Sequence, residues 1–384
     1  MPLRATKRGA ERTPLRGDYD VLICGGSFAG LTVARELRST GARVLVLDRY
    51  ELGERQTSAC AAPTEWLRSL GLEDSVRQTF ASLLVHTRAT TARWPLPWTF
   101  STFDYRTLCA LLWAQRGPGT SFETAKVEGR RGDAVVTDRG EVRAPLVVDA
   151  LGWRRVLGRG ENVQPPEARL SRGLEVHPAG SAKELELWID RAVIRAGYGW
   201  SFPARDEVRV GVGSFDPHDH VKQPTVRLAE ALDRDTVAYQ GNWIPHRLRP
   251  ATDDGVFFAG DSAGHCLPLT AEGIRTAFYF GIACGRELRA VLEGRRSAGA
   301  ALERYRAFSA AHRWKFEAML LAQRMVPRLA PPALDRVVDA FGRRRVSHWA
   351  FRHYLDIAPP QYALPAPPPA VDAGRDVPPA AVAA

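Results

Sequence analysis

The sequence is poor in lysine, in cysteine and in long apolar runs. Five lysines (Lys7, Lys126, Lys183, Lys222, Lys315) stand in 384 residues, so arginine carries almost all of the 53 basic side chains. Five cysteines (Cys24, Cys60, Cys109, Cys266, Cys284) are an odd number, widely spaced and without a CxxC pair. That pattern excludes a zinc finger and a secreted disulfide framework, indicates no metal site, and fits a reducing, cytoplasmic compartment. No stretch approaches the roughly 18 uncharged apolar residues that cross a bilayer. Residues 1–16 are basic but lead into no apolar core, so they do not read as a secretory signal. Hydrophobic residues at 45% and charged residues at 25% are the balance of a globular protein, neither a disordered chain nor a miniprotein. At about 150 residues per domain the length predicts two or three structural units, and no internal repeat divides them.

The net charge of +10 first suggests nucleic acid, but its placement does not. Residues 1–16 hold five Lys/Arg against one Glu, and Arg343, Arg344, Arg345 and Arg352 crowd the last helical stretch. With the excess at two ends rather than along one groove, no nucleic-acid partner is expected. Anionic membrane headgroups are one partner for such ends, and a solvated charge run is the other reading. Met319, Leu320, Leu321, Met325, Val326 and Leu329 stand between arginines. They suit a peripheral membrane contact and packing against the rest of the chain equally well. The sequence sets no oligomeric state.

Three textures follow one another. Val21-Leu22-Ile23-Cys24 is a short apolar run of the buried parallel kind, Gly25 to Gly30 form a tight turn, and Leu31, Val33, Ala34 and Leu37 repeat at helical spacing. Val44–Asp48 then completes a βαβ unit. From about 160 to 250, Leu185–Asp190 and Glu207–Val212 alternate apolar and polar, as antiparallel strands covered on one face do. A helical face runs through residues 302, 305, 308, 312, 316, 319 and 320, and the last 27 residues hold eight prolines and read as disordered.

The turn reads Gly25-Gly26-Ser27-Phe28-Ala29-Gly30 in the strand–turn–helix setting that dinucleotide binding requires. Gly25 permits the sharp turn and Gly30 lets helix and strand approach. Ser27, in place of the usual middle glycine, is small enough for a pyrophosphate to reach the helix N-terminus. Asp48, 23 residues after Gly25, is placed to bond a ribose hydroxyl, with Arg49 beside it. A second apolar strand ends in Gly260-Asp261 and runs on to Glu272-Gly273-Ile274.

These segments, with the helix opening at Tyr105-Arg106 and the strand Val147-Val148-Asp149, resemble the FAD-dependent hydroxylase and reductase superfamily of the para-hydroxybenzoate hydroxylase type. Gly197-Tyr198-Gly199-Trp200-Ser201-Phe202-Pro203 and Pro268-Leu269-Thr270-Ala271-Glu272-Gly273-Ile274 are similar to motifs of its geranylgeranyl reductase family, with Ala271 where a glycine is common. The resemblance covers roughly residues 17–325. It implies FAD, with Arg106 contacting the cofactor, Asp261 on the ribityl chain, and the Gly273 and Ile274 backbone at the flavin pyrimidine. Cys60 falls where that family often carries an active-site cysteine, although the usual following glycine is missing. His265 is the histidine nearest the expected flavin face, so Cys60 and His265 are the catalytic candidates. A buried structural thiol and a turn-capping imidazole are their alternatives.

Tyr198, Trp200 and Phe202 alternate on one strand and so share one face, followed by Pro203, as a wall for an apolar substrate would. An aromatic sheet core is the competing reading. No second glycine-rich turn is present, so NADPH or another reductant has to bind transiently. The expected fold is α/β. A Rossmann-type, GR2-like FAD-binding domain (17–80, 100–159, 250–295) follows a disordered basic arm (1–16). An antiparallel substrate sheet (81–99, 160–249) is inserted in it, and C-terminal helices (296–357) and a disordered tail (358–384) end the chain. The expected function is an FAD-dependent oxidoreductase reducing C=C bonds of an isoprenoid-like substrate. An FAD-dependent monooxygenase or halogenase is the first alternative, although none of the five lysines lies in a flavin-side motif. A non-catalytic prenyl or lipid carrier of the same fold is the second.

Overall fold

The computed structural model describes residues 13–15, 17–56, 58–160 and 163–364. Its first sheet has six strands in the order β16 (Thr252–Asp253), β17 (Val256–Phe258), β10 (Leu146–Asp149), β1 (Val21–Cys24), β2 (Val44–Asp48) and β6 (Thr120–Thr124). All neighbours are parallel except β16. Strands β1 and β2 are covered on both faces, which is why they read as unbroken apolar runs. Helix α1 (Phe28–Glu36) packs on α5 (Ile274–Leu292). That approach needs glycine: a Cβ at Gly285 would stand 2.5 Å from Glu36 Cβ.

The second sheet has eight strands: β15 (Gln240–Pro245), β11 (Leu170–Val176), β14 (Val208–Ser214), β13 (Gly197–Pro203), β12 (Glu186–Trp188), β4 (Val76–His86), β5 (Thr91–Phe103) and β3 (Ala61–Pro63). It is antiparallel except where β12 meets β4, the seam between the two inserted segments. The sheet therefore takes more of the chain than 81–99 and 160–249. The β4–β5 hairpin starts at Val76 and ends at Phe103, because the apolar alternation of those residues continues past the prolines. A small third sheet, β7 (Val127–Arg131), β8 (Ala134–Thr137) and β9 (Gly140–Val142), fills the connection from β6 to β10.

One face of the second sheet is closed by α4 (Lys222–Ala231), whose Leu228 packs over Val176, Val208, Val210 and Val212. The helices α6 (Ala298–Ala310), α7 (Arg313–Met325), α8 (Pro331–Gly342) and α9 (Arg344–Leu355) complete the C-terminal region. Helices α8 and α9 lie on β5, where Trp94 Nε1 donates to Val338 O at 2.8 Å and Trp98 Nε1 to Phe351 O at 3.3 Å. These two tryptophans thus form a sheet–helix core. Two boundaries also shift. Residues 358–364 are packed rather than free: Ala358 is fully buried and its carbonyl accepts from Trp66 Nε1 at 2.9 Å. Leu15 is buried and its N–H donates to Arg139 O at 2.9 Å. The rest of the expected basic arm (1–12 and 16) and the tail from 365 onward lie outside the described residues.

Candidate cofactor and substrate site

The turn after β1 is built by what cannot be there. A Cβ on Gly25 (φ +117°) would stand 2.2 Å from Ala150 O, and one on Gly30 would stand 1.9 Å from Gly25 O. Only glycine lets α1 start this close to the sheet, with its free N–H groups and positive dipole end at the strand tips. Gly26 N donates to Asp48 Oδ2 at 2.8 Å and Tyr50 N to Asp48 Oδ1 at 3.0 Å, while burial holds the Asp48 carboxyl above its ordinary value. A carboxylate with about four acceptor positions still has room for a ribose hydroxyl. Tyr105 OH donates to Ser27 Oγ at 2.9 Å, so the serine ties the turn to α3 (Tyr105–Ala114). Phe28 packs edge-on against Phe103, Tyr105 and Phe278, which makes it a wedge between α1, α3 and α5.

The second glycine-rich segment meets this turn directly. A Cβ on Gly260 (φ +64°) would lie 3.0 Å from Ala29 Cβ, so Gly260-Asp261 sits against the first residues of α1. Gly273 closes the other side, its Cβ position 3.4 Å from Cys266 Sγ and 3.5 Å from Asp261 Oδ1. Ile274 is buried at the start of α5. The Asp261 carboxyl has no hydrogen-bond partner among the described residues, and burial pushes its pKa up to about 6, opposed by Arg249. Arg106 is exposed at the start of α3, without an ion pair among the described residues. The 51–54 turn lies close to it: a Cβ on Gly53 would be 2.8 Å from Arg106 Cα. Arg49 is exposed and lies over the Tyr50 ring, 4.9 Å from its centroid. Asp149 is instead an internal tie, accepting from Leu151 N, Leu157 N and Ser262 Oγ.

The loop before α5 is held from three directions. Leu269 (φ +67°) and Ala271 (φ +51°) both adopt the left-handed conformation, which explains why glycine suits position 271. Tyr198 OH donates to Thr270 O at 2.7 Å, and Tyr354 OH donates to Thr270 Oγ1 at 2.8 Å and also reaches Glu272. Arg275, fully buried, pairs with Glu272 at 2.7 Å and donates to the carbonyls of Tyr354, Leu355 and Ala358. The end of α9 therefore fixes this loop, a link across 80 residues of sequence.

On the second sheet Tyr198, Trp200 and Phe202 do share one face, opposite Gly199, against whose Cβ position Leu228 of α4 presses at 2.6 Å. The Trp200 indole lies over the glycines of the neighbouring strands. A Cβ on Gly211 would meet its ring at 2.2 Å, and Gly213 and Gly173 lie under its far edge. Pro203 is buried; its carbonyl accepts from Thr102 Oγ1 at 2.7 Å. A polar chain follows the same face: Trp200 Nε1 donates to Glu175 Oε2 at 3.1 Å, and His177 Nε2 lies 2.9 Å from Glu175 Oε1. His177 Nδ1 lies 3.9 Å from Glu207, which binds Arg209 at 2.7 Å. Arg209 in turn donates to Ala59 O at 2.8 Å and Cys60 O at 3.1 Å. Four members of this chain, Glu175, His177, Glu207 and Arg209, escaped the sequence reading. The available signal was Arg209 alternating in register with Gly211 and Gly213, a charge on a face otherwise stripped of side chains.

Cys60 is fully buried in a left-handed backbone (φ +50°), and burial pushes its thiol well above the ordinary value. It is a protonated thiol, not a thiolate. His265 is turned into the helical layer. Its ring is enclosed between α5 and α6, stacked on Phe280 at 3.7 Å with Nε2 3.0 Å from Ser309 Oγ. Burial drives its pKa well below the usual imidazole value, and its Nδ1 has no partner among the described residues.

An FAD-binding-domain family profile matches residues 18–148. Digeranylgeranylglycerophospholipid reductase 3 of Methanosphaera stadtmanae is 24% identical over 88% of this chain and 95% of its own length. Geranylgeranyl diphosphate reductase of Rhodobacter capsulatus is 26% identical over 70% of this chain and 73% of its own. The chain carries an FAD-binding domain and is similar along most of its length to geranylgeranyl reductases. Its fold is shared by a geranylgeranyl bacteriochlorophyll reductase-like protein of Thermoplasma acidophilum (TM-score 0.77, 18% identity, 90% of this chain and 97% of that one). A probable FAD-dependent monooxygenase of Pseudomonas aeruginosa is more distant (TM-score 0.65, 20% identity, 85% and 99%). The residues fit the cofactor of this family. A glycine turn opens onto a helix N-terminus, and a half-buried carboxyl without a hydrogen-bond partner among the described residues, Asp261, stands beside it.

Proposed function

We propose that this flavoprotein reduces C=C bonds of a polyprenyl or similarly apolar substrate, with NADPH or another reductant as transient donor. The observation that carries the reading is the face of β13: Tyr198 and Trp200 form an apolar wall bonded at one end to the loop before α5 and, through Glu175, His177, Glu207 and Arg209, to the Cys60 backbone. Bound FAD, once reduced by that donor, would supply the hydride. The chain would do the rest. The turn at Gly25–Gly30 and Asp48 would hold the dinucleotide, Arg49 and Arg106 would face its charge, and Asp261 would bond its sugar chain. Tyr198, Trp200 and Phe202 would exclude water from the alkene, and the protonated Cys60 thiol would give a proton to the second carbon.

The experiment is anaerobic. Enzyme reduced chemically and mixed with geranylgeraniol should be reoxidised as the saturated product forms. Reoxidation by oxygen alone, with the alkene recovered intact, rejects the reductase reading in favour of a monooxygenase or halogenase. Protein that cannot be loaded with FAD leaves a non-catalytic prenyl carrier.

A further inference from the structure

A cavity of roughly 790 Å³ opens where loops of the second sheet meet the C-terminal end of α7. Its wall carries Arg169, Arg324 and Arg328, and Arg247 lies next to the lining residue His246. None of these four guanidiniums has an ion pair or hydrogen bond among the described residues, and Arg247 Nε is buried without an acceptor. Burial, together with Arg169 and Arg324, depresses the Arg247 pKa; Glu317 is the one carboxylate acting against that. Burial and the same arginines push His246 down to about 4. Glu167 and Asp216 also line the cavity, but Asp216 is already engaged by Arg195 at 2.7 Å.

Like charges gathered at a partly shielded site repel one another, and the arrangement is stabilised when an anion joins them. Planar guanidinium forks match the oxygens of a phosphate better than a point charge does. The cavity also touches the candidate site. Gln323 on its wall accepts from Leu269 N at 2.8 Å, and Phe215 on its wall contacts the Tyr198 ring at 6.0 Å.

We propose that this cavity binds a phosphate or diphosphate monoester, with Arg169, Arg324 and Arg328 on its wall as the donors. Two molecules carry that chemistry. One is the phosphorylated end of a prenyl substrate, whose apolar chain then runs along Tyr198 and Trp200; this source rests on the reductase reading above. The other is the 2′-phosphate of NADPH.

The test uses the full chain loaded with FAD, so that the dinucleotide turn is filled, and inorganic pyrophosphate as probe. Calorimetric titration should show binding to the parent protein and at least about tenfold weaker binding to the double variant Arg169→Gln/Arg324→Gln. Both side chains are exposed, so unchanged flavin absorbance and an unchanged unfolding midpoint verify the variant's fold. If the double variant abolishes an advantage of geranylgeranyl diphosphate over geranylgeraniol, the prenyl source is assigned. If it abolishes a preference for NADPH over NADH, the donor source is. Absence of pyrophosphate binding to the parent protein, or equal binding to the variant, overturns the site. Pyrophosphate binding is read without turnover, so a failure of alkene reduction rejects the reductase reading and leaves this result standing.

Discussion

Arg209→Met is the perturbation that the structure makes most quantitative. The guanidinium is 2% exposed and makes four contacts: two to Glu207 at 2.7 and 2.8 Å, and one each to Ala59 O and Cys60 O. Removing one member of a buried charge pair costs about 3–5 kcal/mol, and Glu207, which reaches solvent, brings the figure to the lower end, about 3 kcal/mol. The Ala59 carbonyl loses this donor, and the Cys60 carbonyl loses one of its two, keeping the Phe103 N–H. Cys60 has a left-handed backbone whose intrinsic cost is about 1–2 kcal/mol, and its remaining bonds are that one and its own N–H to Ser58 Oγ at 3.3 Å. The loop should relax and open. All five cysteines are buried, so the folded parent protein should show no fast-reacting thiol in an Ellman titration. The variant should show one, mapped to Cys60 by mass spectrometry, together with a urea midpoint lowered by the equivalent of about 3 kcal/mol. Arg209→Lys, which keeps charge but not the fork, should fall between the two. A methionine variant with an unchanged midpoint and no new reactive thiol refutes the claim that Arg209 holds this loop.

Other consequences are as direct. Gly30→Ala puts a Cβ 1.9 Å from Gly25 O, so α1 must leave the turn. The variant should purify colourless, and a flavin content equal to the parent's counts against the dinucleotide turn. Burial lifts the folded pKa of Asp261 to about 6, above an unfolded value near 3.9. Between those values the native state holds a proton that the unfolded chain lacks, so this group lowers flavin-free stability as pH rises from about 4 to 6. Asp261→Asn should therefore stabilise the flavin-free protein at pH 7 by up to about 3 kcal/mol, flatten that pH dependence, and weaken FAD binding. Chemical unfolding across pH 4–7 checks the first two, and an asparagine variant no more stable than its parent refutes them. Trp314 and Trp349 are 67% and 66% exposed beside arginines, and no helix among the described residues is long and apolar enough to cross a membrane. If they rest on anionic lipid, the protein floats with anionic vesicles at low salt and is released at high salt. Flotation unaffected by salt, or none at all, removes that contact.

The dinucleotide turn was legible because its physics is local. Gly25, Gly30 and Asp48 act within one βαβ unit, and the βαβ pattern is written in 28 consecutive residues. The face shared by Tyr198, Trp200 and Phe202 was legible for the same reason, since a strand's period of two needs no partner to be read. What escaped was set by contacts distant in sequence. His265 follows a cofactor segment in the chain, but its ring turns toward Ser309 and Phe280, and no local pattern says which way a side chain after a tight turn will point. Nothing local to Trp94 and Trp98 says what covers them, because aromatic residues on a strand announce burial without naming what buries them. Helices α8 and α9, more than 230 residues later, are what cover them.

The chain of contacts from Trp200 to Cys60 joins these scales. Three glycines on two strands leave a flat floor, and an indole fills it, which turns a deficit of side chains into a rigid aromatic surface. A buried indole N–H needs an acceptor, Glu175 provides it, and a buried carboxylate in turn needs compensation. His177, Glu207 and Arg209 supply that compensation in succession, and the last spare donor of Arg209 falls on the Cys60 carbonyl. Contacts thus run from the wall expected to hold an apolar substrate to the loop carrying the candidate proton donor, the widest step being the 3.9 Å between His177 and Glu207, and they account for an ionic network in the middle of an otherwise apolar sheet face.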